Sequence, residues 1–313
     1  MILAAGLSPA WQQILVFDRF TRGEVNRAVE TCACASGKVI NVGLALTALG
    51  AESRTLSVLG GRAGAMIAEE LAALGVFSHW ISDPATTRTC TTIIERSTGE
   101  ITELVENAPR IESRSCEAFL SALREEAQAA QWVILSGSLP PIAGRSSSRS
   151  LYREMLETLP STTRIIIDAR GPEMLDCLSQ RPFLVKPNRE ELALTVGRGL
   201  TDPESLIAAM REINALGAEW VLVTHGAQQV WLSSQTELWC FTPPEIEVVN
   251  AIGCGDCLTA GLTAALAEGH SLPEAVRFGI AAAGDNAMQL LPSRLSPSGV
   301  RALAERVCSV RVQ

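Results

Sequence analysis

A glycine-rich turn that ends in an acidic residue is the part of the sequence best suited to carry out a reaction. It reads Gly253-Cys254-Gly255-Asp256, and a helical stretch, residues 256–268, opens at its end. Glycines let the backbone turn sharply, and the first N–H groups of a helix have no partner within it, so such a turn can bind an anion. Asp256 would then accept a proton from an attacking hydroxyl during phosphoryl transfer. Taken alone, the turn is equally well explained by a tight bend with Asp256 as an ordinary helix N-cap.

The elements around this turn predict an α/β fold, a doubly wound and mostly parallel sheet. From about Ser53 onward, short apolar stretches alternate with helical patterns, which is typical of βαβ units with helices on both faces of a sheet. The strands are nearly all apolar, as strands buried on both faces should be. We predict strands at 2–6, 55–59, 132–136, 164–168, 183–186 and 220–224, an apolar strand entering the turn at 248–249, and helices at 40–49, 63–74, 116–130, 203–216, 256–268, 272–290 and 298–307.

Two stretches depart from this pattern. Residues 14–34 and 89–105 alternate polar with apolar side chains, which predicts strands with one wet face and hence a small sheet apart from the main core. We interpret this sheet as a lid. The sequence therefore predicts a single domain over residues 1–313, with lid segments at about 11–35 and 86–106, and the short serine tract at 146–148 is its one low-complexity feature.

Composition narrows the class of protein. A chain of 313 residues that is 47% apolar can bury a large core, and its net charge of −8 argues against nucleic acid as a partner. No apolar run reaches the roughly 18 residues that span a bilayer, and the apolar start of the chain is too short for a signal peptide. The nine cysteines lack the paired spacing of a zinc site, so we expect free thiols and a cytoplasmic protein without a membrane partner.

Five further motifs accompany the turn. They are Ser36-Gly37-Lys38-Val39-Ile40-Asn41-Val42, Thr87-Arg88-Thr89, Thr102-Glu103-Leu104-Val105-Glu106-Asn107-Ala108-Pro109, Ser136-Gly137-Ser138-Leu139-Pro140 and Lys186-Pro187-Asn188-Arg189-Glu190-Glu191. In this order they resemble the motifs of the ribokinase-like (PfkB-type) carbohydrate kinases, in particular the branch with 1-phosphofructokinase and tagatose-6-phosphate kinase. The resemblance covers nearly the whole chain, and six ordered matches are far more specific than any one of them.

The resemblance implies an enzyme that uses ATP and Mg²⁺ to phosphorylate a sugar or a sugar phosphate such as fructose 1-phosphate, fructose 6-phosphate or tagatose 6-phosphate. It assigns the base to Asp256 and the anion hole to Gly253, Cys254 and Gly255. It also places Gln12, Arg27, Gly37, Lys38, Asn41, Arg88 and Ser136 at the sugar, Lys186, Asn188, Thr224, Gly226 and Asn286 at ATP, and Glu191 on the waters of the metal.

Physical chemistry supports these assignments. ATP carries about four negative charges, so a lysine, a divalent cation and helix-terminal N–H groups must converge on its phosphates. Lys186 ends a predicted strand, at the edge of an open α/β sheet where ligands bind. Asp168 also ends a strand, where a structural cap and a catalytic role both remain open, and His225 is equally well an ordinary loop residue.

Three positions depart from the branch that the chain resembles. Gln12 stands in place of an aspartate, Val39 in place of a glycine and Glu24 where a lysine is usual. An amide lacks the charge-assisted acceptance of a carboxylate, and we expect Val39 to close space near the sugar ring. All three lie on the acceptor side, so the sequence predicts an unusual acceptor. The alternative is a sugar-phosphate or nucleotide binder that has lost turnover, which the retained Asp256 opposes.

A dehydrogenase on a similar sheet is disfavoured, because no Gly-x-Gly-x-x-Gly motif follows the first strand.

Two further expectations concern reactivity and assembly. Cys254 and Cys257 flank Asp256 at a helix N-terminus, where the helix dipole should lower a thiol pKa and make activity sensitive to oxidation. The lid would also serve as a homodimer interface through its apolar residues, namely Val29, Ile93, Ile94 and Ile101.

Overall fold

The computed structural model describes residues 1–145 and 150–313, so the serine tract at 146–148 lies outside the described residues. Its large sheet contains β1 (Ile2–Ala5), β4 (Ser53–Leu59), β5 (Ser78–Ser82), β8 (Trp132–Ser136), β9 (Arg164–Asp168), β10 (Leu184–Val185), β11 (Trp220–Val223), β12 (Val230–Ser233), β13 (Leu238–Thr242) and β14 (Cys308–Arg311). Its small sheet contains β2 (Ala10–Phe17), β3 (Glu30–Ser36), β6 (Arg88–Glu95) and β7 (Ile101–Val105). The helices are α1 (Lys38–Ala48), α2 (Gly61–Ala73), α3 (Ser113–Ala127), α4 (Leu151–Thr158), α5 (Gly171–Leu178), α6 (Arg189–Val196), α7 (Pro203–Leu216), α8 (Cys254–Ala267), α9 (Leu272–Ala287) and α10 (Pro297–Arg306).

The large sheet is parallel through most of its width. Its strands follow the order β14-β13-β12-β11-β10-β9-β8-β1-β4-β5, and every pair from β11 to β5 is parallel. The last three strands add an antiparallel extension. The predicted doubly wound α/β fold with a second, small sheet is therefore confirmed.

The sheet is buried on both faces, which explains its apolar strands. In β1, Ile2 and Ala4 belong to the core under α1, α2, α8, α9 and α10, whereas Leu3 and Ala5 belong to the core under α3 to α7. Alternate side chains of a strand point to opposite faces, so a strand between two helical layers needs apolar residues at every position.

The small sheet packs on the main body through one face. Ile14, Val16 and Ile94 are buried there against Leu290 and Leu291, which follow α9. Because Ile94 and its neighbour Ile93 are only 8% and 9% exposed, these two isoleucines are not free to form a dimer interface as the sequence predicted. The exposed apolar residues on this sheet are Leu104 and Val105, with Val29 just before β3.

The sequence prediction is wrong at several strands. We predicted a strand at 248–249 before the turn, but these residues belong to an irregular segment that starts at residue 243. The predicted strand 183–186 shrinks to the two residues of β10. The strands β5, β12, β13 and β14 were missed: β5 and β14 are partly or fully exposed, and β12 and β13 form an antiparallel hairpin rather than part of a βαβ unit.

In the described residues, no helix combines the length and the apolar character that crossing a membrane requires.

Candidate active site

The glycine-rich turn forms the start of α8. Gly253 is the N-cap, with a left-handed φ of 77°, and a Cβ there would lie 3.2 Å from Pro292 and 3.3 Å from the amide nitrogen of Asn41. Glycine is therefore needed for both conformation and space. Among the described residues, the backbone N–H groups of Gly255 and Asp256 have no acceptor. These two groups provide the unpaired donors that an anion site requires.

Asp256 lies buried beside these donors. Its Oδ2 accepts a hydrogen bond of 2.7 Å from Asn41 Nδ2, and Asn41 Oδ1 accepts one of 3.1 Å from Ser36 Oγ. Burial, and next the negative charge of Asp168, raises the pKa of Asp256 to about 6, although Lys38, Asn41 and Lys186 act in the opposite direction. A carboxylate with this pKa is ionised at neutral pH and is a stronger base than an ordinary aspartate.

Two lysines converge on Asp168. Lys38 Nζ lies 2.8 Å from Oδ1 and Lys186 Nζ lies 3.1 Å from Oδ2 of this fully buried carboxylate. Burial by itself would raise the pKa of Asp168, but Lys186 and Lys38 outweigh it, and the pKa is lowered. For Lys38, burial would lower the pKa, but Asp168 first, and then Asp256 and Glu191, raise it.

Lys186 also reaches the turn. A Cβ added to Gly255 would stand 3.5 Å from Lys186 Nζ, so the glycine leaves the lysine close to the helix start. Asp168, whose role the sequence left open, is thus the carboxylate that holds the two lysines. Its position at the end of β9, beside the end of β8, was the available signal.

Asn188 and Glu191 form a capping box at the start of α6. Asn188 Oδ1 accepts from the Glu191 backbone N–H at 2.7 Å, and Glu191 Oε2 accepts from the Asn188 N–H at 3.0 Å. The other carboxylate oxygen of Glu191 lies 3.9 Å from Lys38 Nζ. Glu191 therefore has one oxygen committed to the helix and one directed at the charged cluster, while the Asn188 side chain serves the cap.

Three other predicted residues lie at strand ends near this cluster. Ser136 ends β8, is 1% exposed, and its Oγ has no partner among the described residues. Thr224 follows β11, and its carbonyl accepts from the Arg189 N–H at 2.9 Å, which joins the loop to α6. Gly226 is exposed and has a left-handed φ of 53°.

Gly37, just before α1, packs its backbone directly against the loop after β1. Its φ is 94°, and a Cβ there would lie 2.8 Å from the carbonyl oxygen of Ser8 and 2.9 Å from the Cα of Pro9. No residue with a side chain fits this position. Gly37 therefore sets the start of α1, from which Lys38 and Asn41 reach Asp168 and Asp256.

Two residues that the sequence assigned to the sugar, Gln12 and Arg88, already form hydrogen bonds within the protein. Gln12 is 5% exposed and its amide donates to Thr92 Oγ1 at 2.7 Å, so it is held within the small sheet. Arg88 donates to the carbonyls of Glu106 and Ser8 at 3.0 and 3.3 Å, and its Nε is buried without a partner among the described residues. Arg27 is exposed in the loop between β2 and β3.

Val39 does not narrow the sugar site as the sequence predicted. Its side chain is 1% exposed in the core, where it faces Gly6, whose added Cβ would lie 3.0 Å from Val39 Cβ. The side chain points into the sheet packing because α1 turns that face toward β1.

Asn286 supports the turn from beneath and has no surface open to a nucleotide. It is fully buried, and its amide donates to the Ile252 carbonyl at 2.8 Å while its oxygen accepts from the Ser293 N–H at 2.6 Å. The assignment of Asn286 to ATP remains a prediction, and in this structure its side-chain hydrogen bonds join Ile252, just before the turn, to Ser293. The sequence does not distinguish a contact with ATP from support of the turn, because either role requires an amide side chain at this position of α9.

The two cysteines of the turn are the opposite of reactive thiols. Burial raises the pKa of Cys254 to about 11, and it raises the pKa of the fully buried Cys257 well above the usual value of a thiol. The predicted lowering of their pKa by the helix dipole is wrong, because desolvation and the charge of Asp256 outweigh it.

Comparisons with known proteins show which chains this one resembles in sequence and fold. The profile of the "pfkB family carbohydrate kinase" matches residues 11–287. The 1-phosphofructokinase of Rhodobacter capsulatus is 32% identical over 98% of this chain and 96% of its own length. The tagatose-6-phosphate kinase of Staphylococcus epidermidis is 28% identical, over 85% of each chain. In fold, the tetrameric inhibited form of phosphofructokinase-2 from Escherichia coli superposes with a TM-score of 0.86 at 24% identity, covering 97% of this chain and 98% of that one.

Proposed function

The chain belongs to the pfkB family of carbohydrate kinases, and on that premise we propose that it transfers the γ-phosphoryl group of ATP to a hydroxyl of a ketohexose phosphate, with Asp256 as general base. The observation that carries the proposal is the arrangement at the start of α8. There Asp256, held by Asn41, adjoins two unpaired N–H groups and the ammonium of Lys186. Fructose 1-phosphate, fructose 6-phosphate and tagatose 6-phosphate are the acceptors to test.

Each group has a defined task in the transfer. Asp256 takes the proton of the acceptor hydroxyl as its oxygen forms a bond to the γ-phosphorus, and the bond to the ADP oxygen breaks. The N–H groups of Gly255 and Asp256 and the ammonium of Lys186 stabilise the charge on the transferred phosphoryl. Asp168 already holds the ammonium of Lys186, so the lysine is in position before ATP binds. The phosphates of ATP then offer it a second anion.

Magnesium fits the residues present as a water-mediated ligand. Among the described residues there is no cluster of three or more acidic, histidine or cysteine side chains that would hold a metal directly. Glu191 offers one carboxylate oxygen beyond its helix cap, and Mg²⁺ commonly keeps its waters and relies on few carboxylates. When bound, the ion would neutralise phosphate charge.

Recognition of the acceptor is assigned to Lys38, Asn41, Ser136 and the small sheet. The guanidinium of Arg88 suits a phosphate through its planar fork, which its hydrogen bonds to the carbonyls of Glu106 and Ser8 hold in place. Gln12 already donates to Thr92, so it offers a sugar mainly its amide oxygen. This supports an acceptor bound with a weaker hydroxyl contact than a carboxylate would give.

The small sheet is proposed as a lid that excludes water from the transfer and as the contact between two copies of the chain. Exclusion of water prevents hydrolysis of ATP in place of transfer. A cytoplasmic location belongs to the same proposal, since the nine cysteines are free thiols and suit a reducing compartment.

The test is ATP consumption with phosphorylated and unphosphorylated ketoses, aldoses and nucleosides, using the wild type and Asp256→Asn. Loss of a general base lowers turnover by about 10²–10⁴-fold, and we expect such a loss with a ketohexose phosphate as acceptor. Asp202→Asn is the matched control, because asparagine can still cap α7 and activity should not change. Turnover of Asp256→Asn within about tenfold of wild type would remove Asp256 as the base.

If no acceptor supports turnover while a nucleotide still binds, the chain is instead a binding member of this family.

A further inference from the structure

A cavity of about 350 Å³ opens behind the loop that follows β11. Its apolar floor contains Leu206 and Val223, which belong to the core under α3 to α7, whereas α8 packs in the core on the other face of the sheet. Thr224 and Gly226, the proposed nucleotide contacts of this loop, are not among its lining residues. The cavity therefore lies on the face of the sheet away from α8, beside the loop after β11, and its volume lies in the range of small-molecule sites.

Two of the lining residues each carry a buried polar atom that has no partner among the described residues. The atoms are Nη2 of Arg189 and Nδ1 of His225. The guanidinium is held in place because Arg189 Nε donates to the carbonyl of Leu200. A buried donor without an acceptor costs free energy, and the cost is larger for a charged group, so an anion at this point would be stabilised.

The other lining residues define what accompanies the anion. Trp231 forms a half-buried aromatic wall, Pro203 adds apolar surface, and Gln228 and Gln229 lie exposed at the mouth. None of the described lining residues is acidic, so Arg189 sets the charge of the cavity. A ligand with one anionic group and one planar or apolar part matches this lining.

We propose that this cavity is a binding site for a small organic anion, with Arg189 and His225 at the anionic group and Trp231 against the apolar part. The site needs neither ATP nor the acceptor sugar. It adjoins the loop of residues 224–226 through the hydrogen bond from the Arg189 N–H to the Thr224 carbonyl, so an occupant would contact that loop from behind.

Phenyl phosphate is the probe, because it joins a phosphate to a flat ring, and calorimetric titration without nucleotide measures its binding. We expect Arg189→Gln to weaken binding by about 10- to 100-fold, the effect of losing a hydrogen bond to a charged group. Arg88→Gln is the matched control for a phosphate bound at the acceptor site, and it should leave the affinity unchanged. Unchanged affinity in Arg189→Gln, or loss in Arg88→Gln alone, overturns the proposal.

Two substitutions of opposite charge at the exposed lining residue Gln229 test the site independently, in case Arg189→Gln does not fold. Gln229→Glu should weaken and Gln229→Lys should strengthen binding, while Gln235→Glu, an exposed glutamine outside this cavity, should do neither. The titration is repeated with Mg²⁺ and a non-hydrolysable ATP analogue, and binding should persist. Displacement by the analogue, the absence of any phenyl phosphate binding, or equal effects of both Gln229 changes would each refute the site.

Discussion

At the scale of single residues, Asp168 links the donor and acceptor sides of the site. It holds Lys186, assigned to ATP, and Lys38, assigned to the sugar, with the two oxygens of one carboxylate. The same negative charge raises the pKa of Asp256. One buried carboxylate thereby affects both the placement of the lysines and the strength of the proposed base.

Asp168→Asn should move the acid limb of the pH profile of kcat/KM to lower pH. The base must be ionised to act, and the pKa of Asp256 of about 6 predicts that wild-type activity falls as the pH drops through that value. The substitution removes a negative charge that raises this pKa and leaves two lysines that lower it, so both changes act in the same direction. Initial rates from pH 4.5 to 8 provide the measurement.

Asn41→Leu should shift the acid limb of the same pH profile in the opposite direction. Asn41 donates to Asp256 and lowers its pKa, so its loss should move the acid limb to higher pH. An acid limb that stays in place in both variants would show that a group other than Asp256 controls the profile.

At the scale of elements, Gly37 fixes the junction between α1 and the loop after β1. Gly37→Ala combines an unfavourable left-handed backbone with a Cβ 2.8 Å from the Ser8 carbonyl oxygen. Gly50→Ala is the control, because Gly50 has a φ of 76° but no atom within 4 Å of an added Cβ. We expect about 1–2 kcal/mol of lost stability at Gly50 and about 1–3 kcal/mol more at Gly37, measured by urea unfolding. Equal losses would show that the close contact at Gly37 relaxes without cost.

The capping box of α6 allows the metal role of Glu191 to be separated from its structural role. Glutamine still completes a capping box, so Glu191→Gln should unfold at an unchanged urea concentration. Loss of the carboxylate should raise the Mg²⁺ concentration for half-maximal activity by about 10- to 100-fold. Glu274→Gln makes the same change in the capping box of α9 and should alter neither quantity. An unchanged Mg²⁺ requirement in Glu191→Gln would remove the metal role.

Local motifs were predictable from the sequence, whereas their partners were not. The bend at Gly253 and the box formed by Asn188 and Glu191 depend on residues within three or four positions of each other. The hydrogen bond from Asn41 to Asp256 joins positions 215 apart, and the one from Lys38 to Asp168 joins positions 130 apart. Such pairs depend on the strand order, which propensity and periodicity do not encode. The antiparallel strands β12 to β14 were missed for a related reason, because their pairing with β11 and with each other depends on the strand order rather than on a local βαβ pattern.

At the scale of the whole molecule, the small sheet presents apolar side chains that a second copy would cover. Leu104 and Val105 are 54% and 57% exposed, and Val29 is 52% exposed. Leu104→Lys should shift the protein toward monomer in light scattering, since a charge in an apolar contact is costly. Leu194→Lys, at a residue 77% exposed on α6, is the control that should leave the mass unchanged. A monomeric wild type, or equal masses in all three proteins, would end the proposal of a dimer through this sheet.

The position of β1 has a consequence for synthesis on the ribosome. β1 pairs with β4 on one side and with β8 on the other, and β8 (Trp132–Ser136) emerges long after β1 has left the exit tunnel. Until then one hydrogen-bonding edge of the first strand is bare, and its apolar side chains lack half of their cover. The nascent chain therefore passes through a stage in which this strand edge is open to incorrect pairing, and slow translation before residue 132 would lengthen that exposure.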